Sequence, residues 1–87
     1  MNQLADRIPD EVARTLEHEM RLVREAIALV ASGGAPRVIV ASLRLGGQLI
    51  DPGRRLAAES GVRLVPLWHA DEHGVDIAIE RDTDAEA

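Results

Sequence analysis

Apolar side chains recur along residues 9–32 (PDEVARTLEHEMRLVREAIALVAS) at Leu16, Met20, Val23, Ile27 and Val30, in alternating steps of four and three. That spacing puts them on one face of an amphipathic helix, and Leu22, Ala26 and Leu29 widen the stripe in the second half. Pro9 suits the first helical position, and Asp10 and Glu11 complement the positive end of the helix dipole. Asp10 precedes Arg14, and Glu17 precedes Arg21, by the four residues that favour a surface pair. Gly33 and Gly34 supply a left-handed stop.

The period then changes. Residues 37–43 (RVIVASL) are rich in β-branched side chains with apolar groups on both faces, the pattern of a buried strand. Residues 44–51 (RLGGQLID) fit either a hairpin turning at Gly46-Gly47 or a glycine loop leading into a helix, and the shortness of 48–50 favours the loop. Asp51-Pro52 reads as an N-cap and first helical residue, for a helix running to about Ser60 and stopped by Gly61. Leu56, Ala57 and Ser60 are expected to face the sheet.

A second strand is expected at 62–69 (VRLVPLWH), apolar on both faces, with Pro66 marking an unpaired or bulged side. Residues 71–74 (DEHG) make a turn, and 75–81 alternate, with Val75, Ile77 and Ile79 inward and Asp76, Ala78 and Glu80 outward. The expected architecture is an α/β (α+β two-layer) fold: a long N-terminal helix, then β-α-β-β. Both helices pack on one face of a small three-stranded mixed sheet, with a right-handed parallel crossover followed by a hairpin. Residues 1–8 read as a flexible lead-in, 9–81 as a single domain, and 82–87 as an acidic disordered tail.

Composition sharpens this picture. The 87 residues include one Trp and no Phe or Tyr, so the core is aliphatic and modest. A 24-residue helix would run about 36 Å, past the reach of a small sheet. Its first half offers Val12 and Leu16 among charges, so residues 9–30 are expected to form a homodimer contact. The interface expected from sequence comprises Val12, Leu16 and Met20, with Trp68 as a further contact. Trp68 has a second reading, as the largest core side chain, and that reading is the one preferred.

With no cysteine, disulfides and thiolate chemistry are excluded. The net charge of −5 argues against neutralising nucleic-acid phosphates as the main task. All ten basic residues are Arg, which fits a high-GC bacterial genome. No apolar run approaches the length of a membrane span and no signal segment is visible, so the expected compartment is the cytoplasm.

Candidate chemistry is sparse. Arg44, Gly46, Gly47, Gln48, Arg54 and Arg55 gather where the first strand gives way to the second helix, a place where anions bind in strand–helix units. No phosphate-loop pattern accompanies them, and a glycine turn with solvated arginines fits the same residues. His69, Asp71, His73 and Asp76 cluster around the expected hairpin turn, but their spacing matches no common metal motif. Ser42 and Ser60 lie in no nucleophile elbow, and of the three histidines only His69 and His73 are expected near one another. No metal, cofactor or catalytic residue is therefore expected.

The element order over 23–81 resembles two families of small proteins, the Alba-like group and the TusA-like sulfur carriers. The first resemblance implies a regulator that binds nucleic acid or an anionic ligand; this chain has only Arg54-Arg55 where such binders carry a Lys/Arg-rich start to the second helix. The second implies sulfur transfer on a Cys-Pro motif, which a chain without cysteine cannot perform. The leading expectation is a small non-enzymatic interaction or regulatory domain that self-associates through its long helix. The alternative is a nucleic-acid- or anionic-ligand-binding regulator of Alba-like outline.

Overall fold

The computed structural model describes residues 10–70 and 74–82. The expected lead-in at 1–8, Pro9, the turn residues 71–73 and most of the acidic tail (83–87) lie outside the described residues. Helix α1 (Asp10–Ala31) is followed by strand β1 (Arg37–Val40), helix α2 (Gly46–Glu59), and strands β2 (Val62–Trp68) and β3 (Val75–Arg81). Gly33 (φ 84°) and Gly61 (φ 74°) take up the left-handed conformation just beyond the two helices, as their positions in the sequence require. Among the described residues, no helix is long and apolar enough to cross a membrane.

The fold class is the expected α+β one, with both helices on one face of three strands, but the sheet is antiparallel throughout. Its order is β1-β3-β2, and β3 runs antiparallel to both neighbours. No parallel crossover pair forms, because the returning hairpin strand inserts between β1 and β2. The reason lies in β3 itself: Ile77, Ala78 and Ile79 are all fully buried, which only a central strand allows. Ala78, expected to face solvent, is covered by its place between Ile39 and Val65 in the cross-strand row.

The edge strands follow from the same arrangement. β1 stops at Val40 rather than residue 43, and Ile39 is 49% exposed, so β1 is not the strand buried on both faces that its composition suggests. β2 forms the opposite edge, which accommodates Pro66: its missing N–H costs nothing where no further strand waits to accept it. On the uncovered face, Glu80 accepts Arg63 Nε at 2.8 Å and lies 3.3 Å from Arg37 Nε, tying the three strands together in one row.

The core lies between this sheet and the helices. Val23, Ala26, Ile27 and Val30 of α1 meet Leu49 and Ala57 of α2 over Val40, Leu64, Ile77 and Ile79. α1 contributes 22 residues, a rise of about 33 Å, against roughly 23 Å for a seven-residue strand. Residues 10–14 are accordingly exposed, whereas Leu16 and Met20 pack against the edge of the core. Neither Asp10–Arg14 nor Glu17–Arg21 closes to ion-pair distance; solvated side chains at such positions gain little from pairing.

α2 begins five residues before the expected N-cap. Asp51 lies inside the helix and exposed, Pro52 is its seventh residue, and Ser60 is exposed rather than turned to the sheet. The buried face is Gly46, Leu49, Gly53 and Ala57, at helical spacing. A Cβ on Gly53 would stand 2.5 Å from Leu64 Cδ1, and one on Gly46 would stand 2.6 Å from the Val75 carbonyl oxygen. These glycines let α2 lie directly on the β2–β3 hairpin. Gly47 has nothing within 4 Å of a Cβ.

Opposite effects follow for the adjacent glycines. Gly47→Ala is expected to stabilise the protein by about 0.5–1 kcal/mol through helix propensity. Gly46→Ala is expected to destabilise it by about 1–3 kcal/mol, because backbone must move to admit the methyl group. Urea denaturation of the two variants checks the order; equal midpoints would contradict the close contact with Val75.

Candidate functional site

The residues with chemical potential gather at the start of α2 and along the first half of α1. The loop 41–45 that joins β1 to α2 contains Ser42, whose φ of 61° is the only positive value among the described non-glycine residues. Leu45 occupies the N-cap position and makes no side-chain cap, having no polar atom to offer. The cap comes instead from α1. Glu19, only 5% exposed, accepts the Arg44 N–H at 2.6 Å through Oε2 and the Leu45 N–H at 2.7 Å through Oε1.

This arrangement has two consequences. The carboxylate stabilises the positive end of the α2 dipole, as a bound anion would. It also satisfies itself: no buried side-chain polar atom among the described residues lacks a partner. Two backbone N–H groups at the Arg/Gly loop are thus already held by the protein's own anion. Gln48 N–H is also engaged, by the Leu45 carbonyl at 3.0 Å.

The six sequence-derived ligand residues do not share one surface. Gly46 is buried against Val75, whereas Gly47 is open. Arg44 lines a hollow of about 400 Å³ on one flank of α1, together with Arg14, His18 and Ser42. Gln48 and Arg55 line a different one, a groove of about 460 Å³ between α1 and α2. Arg54 is exposed and lines neither.

The expected interface divides in the same way. Leu16 and Met20 sit side by side on the wall of the α1–α2 groove, with Pro52 and Leu56 across from them. Val12, 38% exposed, faces a separate depression beside Arg44 and Leu45. Trp68 is 68% exposed at the far end of β2, so it is not the core residue its size suggested. The edge strand carries it to the rim of the sheet. The first half of α1, expected to lack any partner within the chain, in fact has one from Leu16 onward, and Glu19 is its firmest contact.

His69 and Asp76 come together, with Nε2 and Oδ1 3.1 Å apart, while Asp71 and His73 lie outside the described residues. Among the described residues no group of three or more His, Asp or Glu side chains is placed to hold a metal. Ser60 is at the α2 C-cap and lines neither the groove nor the hollow. Glu19, Arg14 and His18 are the positions that sequence reasoning passed over. For Glu19 a signal exists: Leu16, Glu19, Val23, Ala26 and Val30 also run in steps of three and four, with a carboxylate on the apolar face.

No family model matches the chain, no curated protein matches it in sequence, and no solved structure matches its fold. The likeness in element order to the Alba-like and TusA-like families therefore gains no support, and the surfaces themselves carry the functional reading.

Glu19→Gln keeps the side chain's shape but turns an NH2 group towards one of two backbone donors. The expected loss is about 2 kcal/mol, the usual penalty for an unsatisfied buried donor next to a lost charged bond. Chemical denaturation measures it directly; an unchanged midpoint would show that the cap contributes nothing.

Proposed function

We propose that this protein is a small, non-enzymatic cytoplasmic interaction domain that pairs with a second copy of itself along the first half of α1. The observation that carries the proposal is the α1–α2 groove. It is a depression of about 460 Å³ whose wall and floor are Leu16, Met20, Leu49, Pro52 and Leu56, and whose rim carries Arg24, Arg55 and Glu59. An apolar floor with a charged rim is the anatomy of a protein contact. The core beneath it is aliphatic and small, which makes additional burial between copies valuable.

Charge selects a second copy as the occupant. Beside the groove on α1, Glu17 follows Leu16 directly and Arg24 stands one turn beyond Met20, with Arg21 between them. Two α1 helices laid antiparallel, with the two-fold axis between Met20 and Arg21, set Glu17 of each copy opposite Arg24 of the other. Both pairs are attractive, so the surface is self-complementary, as an isologous contact requires. Regulation would follow from whatever else the dimer presents, the exposed Trp68 and the open sheet face included.

Sedimentation tests this reading. The 9.4 kDa chain is expected to sediment as a dimer at micromolar concentration. Glu17→Arg and Arg24→Glu alone are each expected to weaken dimerisation roughly tenfold by placing like charges together, and the double exchange to restore it. A monomer at high micromolar concentration, or a double exchange no better than the single ones, would overturn the proposal.

A further inference from the structure

On the other flank of α1, sharing no residue with the groove, lies the hollow of about 400 Å³ that Arg14, His18, Ser42 and Arg44 line. We infer that it is a binding site for a dianionic phosphate group, either free phosphate or the phosphate of a small ester.

Three observations carry this. Arg14 and Arg44 come from different elements, α1 and the β1–α2 loop, yet border one depression, and neither forms an ion pair with a described residue. Glu19 also lines the hollow, but both of its carboxylate oxygens are committed to backbone N–H groups of the β1–α2 loop. The hollow thus presents two guanidinium groups with no ion-pair partner among the described residues, and their forked donors match phosphate oxygens.

The second observation is the loop. Glu19 pins its far end through the N–H groups of Arg44 and Leu45, so Arg44 leaves from a fixed point. A positioned cation loses less entropy on binding than one on a free loop. The third is Ser42, held at φ 61°, a left-handed conformation that a serine adopts rarely. Strained residues of this kind concentrate at binding sites. Its hydroxyl has no partner among the described residues and stands at the same depression, where His18 offers a further donor.

The ligand is a small one. The volume suits a compact molecule, and Leu22, Ala41 and Leu43 supply apolar walls. A nucleic-acid backbone fits less well: it would extend past Asp10, Glu11 and Glu17 on the same half of α1, on a chain whose net charge is −5.

Titration with inorganic phosphate, and separately with glycerol 3-phosphate, followed by amide NMR at constant ionic strength, tests the inference. Saturable shifts are expected at Thr15, His18, Ser42 and Arg44. Similar affinities for the two probes would identify free phosphate as sufficient, and severalfold tighter binding of the ester would identify an esterified ligand. Arg14→Gln and Arg44→Gln remove exposed side chains and keep the backbone N–H that Glu19 holds. Each is expected to weaken binding about tenfold, and both together to abolish it. Absence of saturable shifts up to roughly 50 mM phosphate, or shifts that persist in the double variant, would overturn the inference, since a group held more weakly than that has no built site.

Discussion

A single carboxylate organises this small protein. Glu19 projects from the core face of α1 and holds two successive backbone N–H groups, so the first helix determines where the second one begins. Hydrogen bonds to an ionised acceptor are among the stronger ones a protein makes, and leaving the buried carboxylate unpaired would be more costly still. Because its oxygens are both engaged, Glu19 can occupy a position that any helical pattern would assign to an aliphatic side chain. From that point α2 starts six residues ahead of the place its local residues suggest, Gly46 comes down on Val75, and Leu49, Gly53 and Ala57 follow along the same face.

The sheet answers to burial in a comparable way. Three strands leave only one central position, and β3 holds it, with Ile77, Ala78 and Ile79 fully buried. The two strands with compromised edges, four-residue β1 and proline-bearing β2, take the outside. With aliphatic side chains of limited area, the core gains from close approach more than from bulk, and the glycines of α2 permit that approach.

Features governed by local pattern were legible in the residues. The stripe of α1, the glycine stops after both helices, the β2–β3 hairpin and the two-layer class all follow from periodicity and turn chemistry. Long-range choices were not. Nothing in 75–81 says that the strand will be flanked on both sides, since alternation describes a half-buried strand equally well. Asp51-Pro52 carries a genuine capping signal, which a carboxylate 32 residues earlier overrides. Trp68 looked like core by size, but its place at the end of an edge strand decided its exposure. The candidate surfaces suffered likewise: Arg44 and Arg55 are near in sequence, yet α1 lies between the depressions they line. Glu19 itself was visible as an acid on an apolar stripe, the one local inconsistency in the helix and the most informative residue in it.

α1 thus serves both of its long flanks, one bordering an apolar groove and the other a cationic hollow, and the Glu19 contact fixes the loop that shapes the latter. Hydrogen exchange of the Arg44 and Leu45 amides measures that contact most directly. The account predicts exchange as slow as that of the α2 interior, although both residues precede the helix. It also predicts that replacing Glu19 by Gln speeds both amides while leaving Val23 and Ile77 protected. Exchange at the rate of an open loop in the unaltered protein would contradict it.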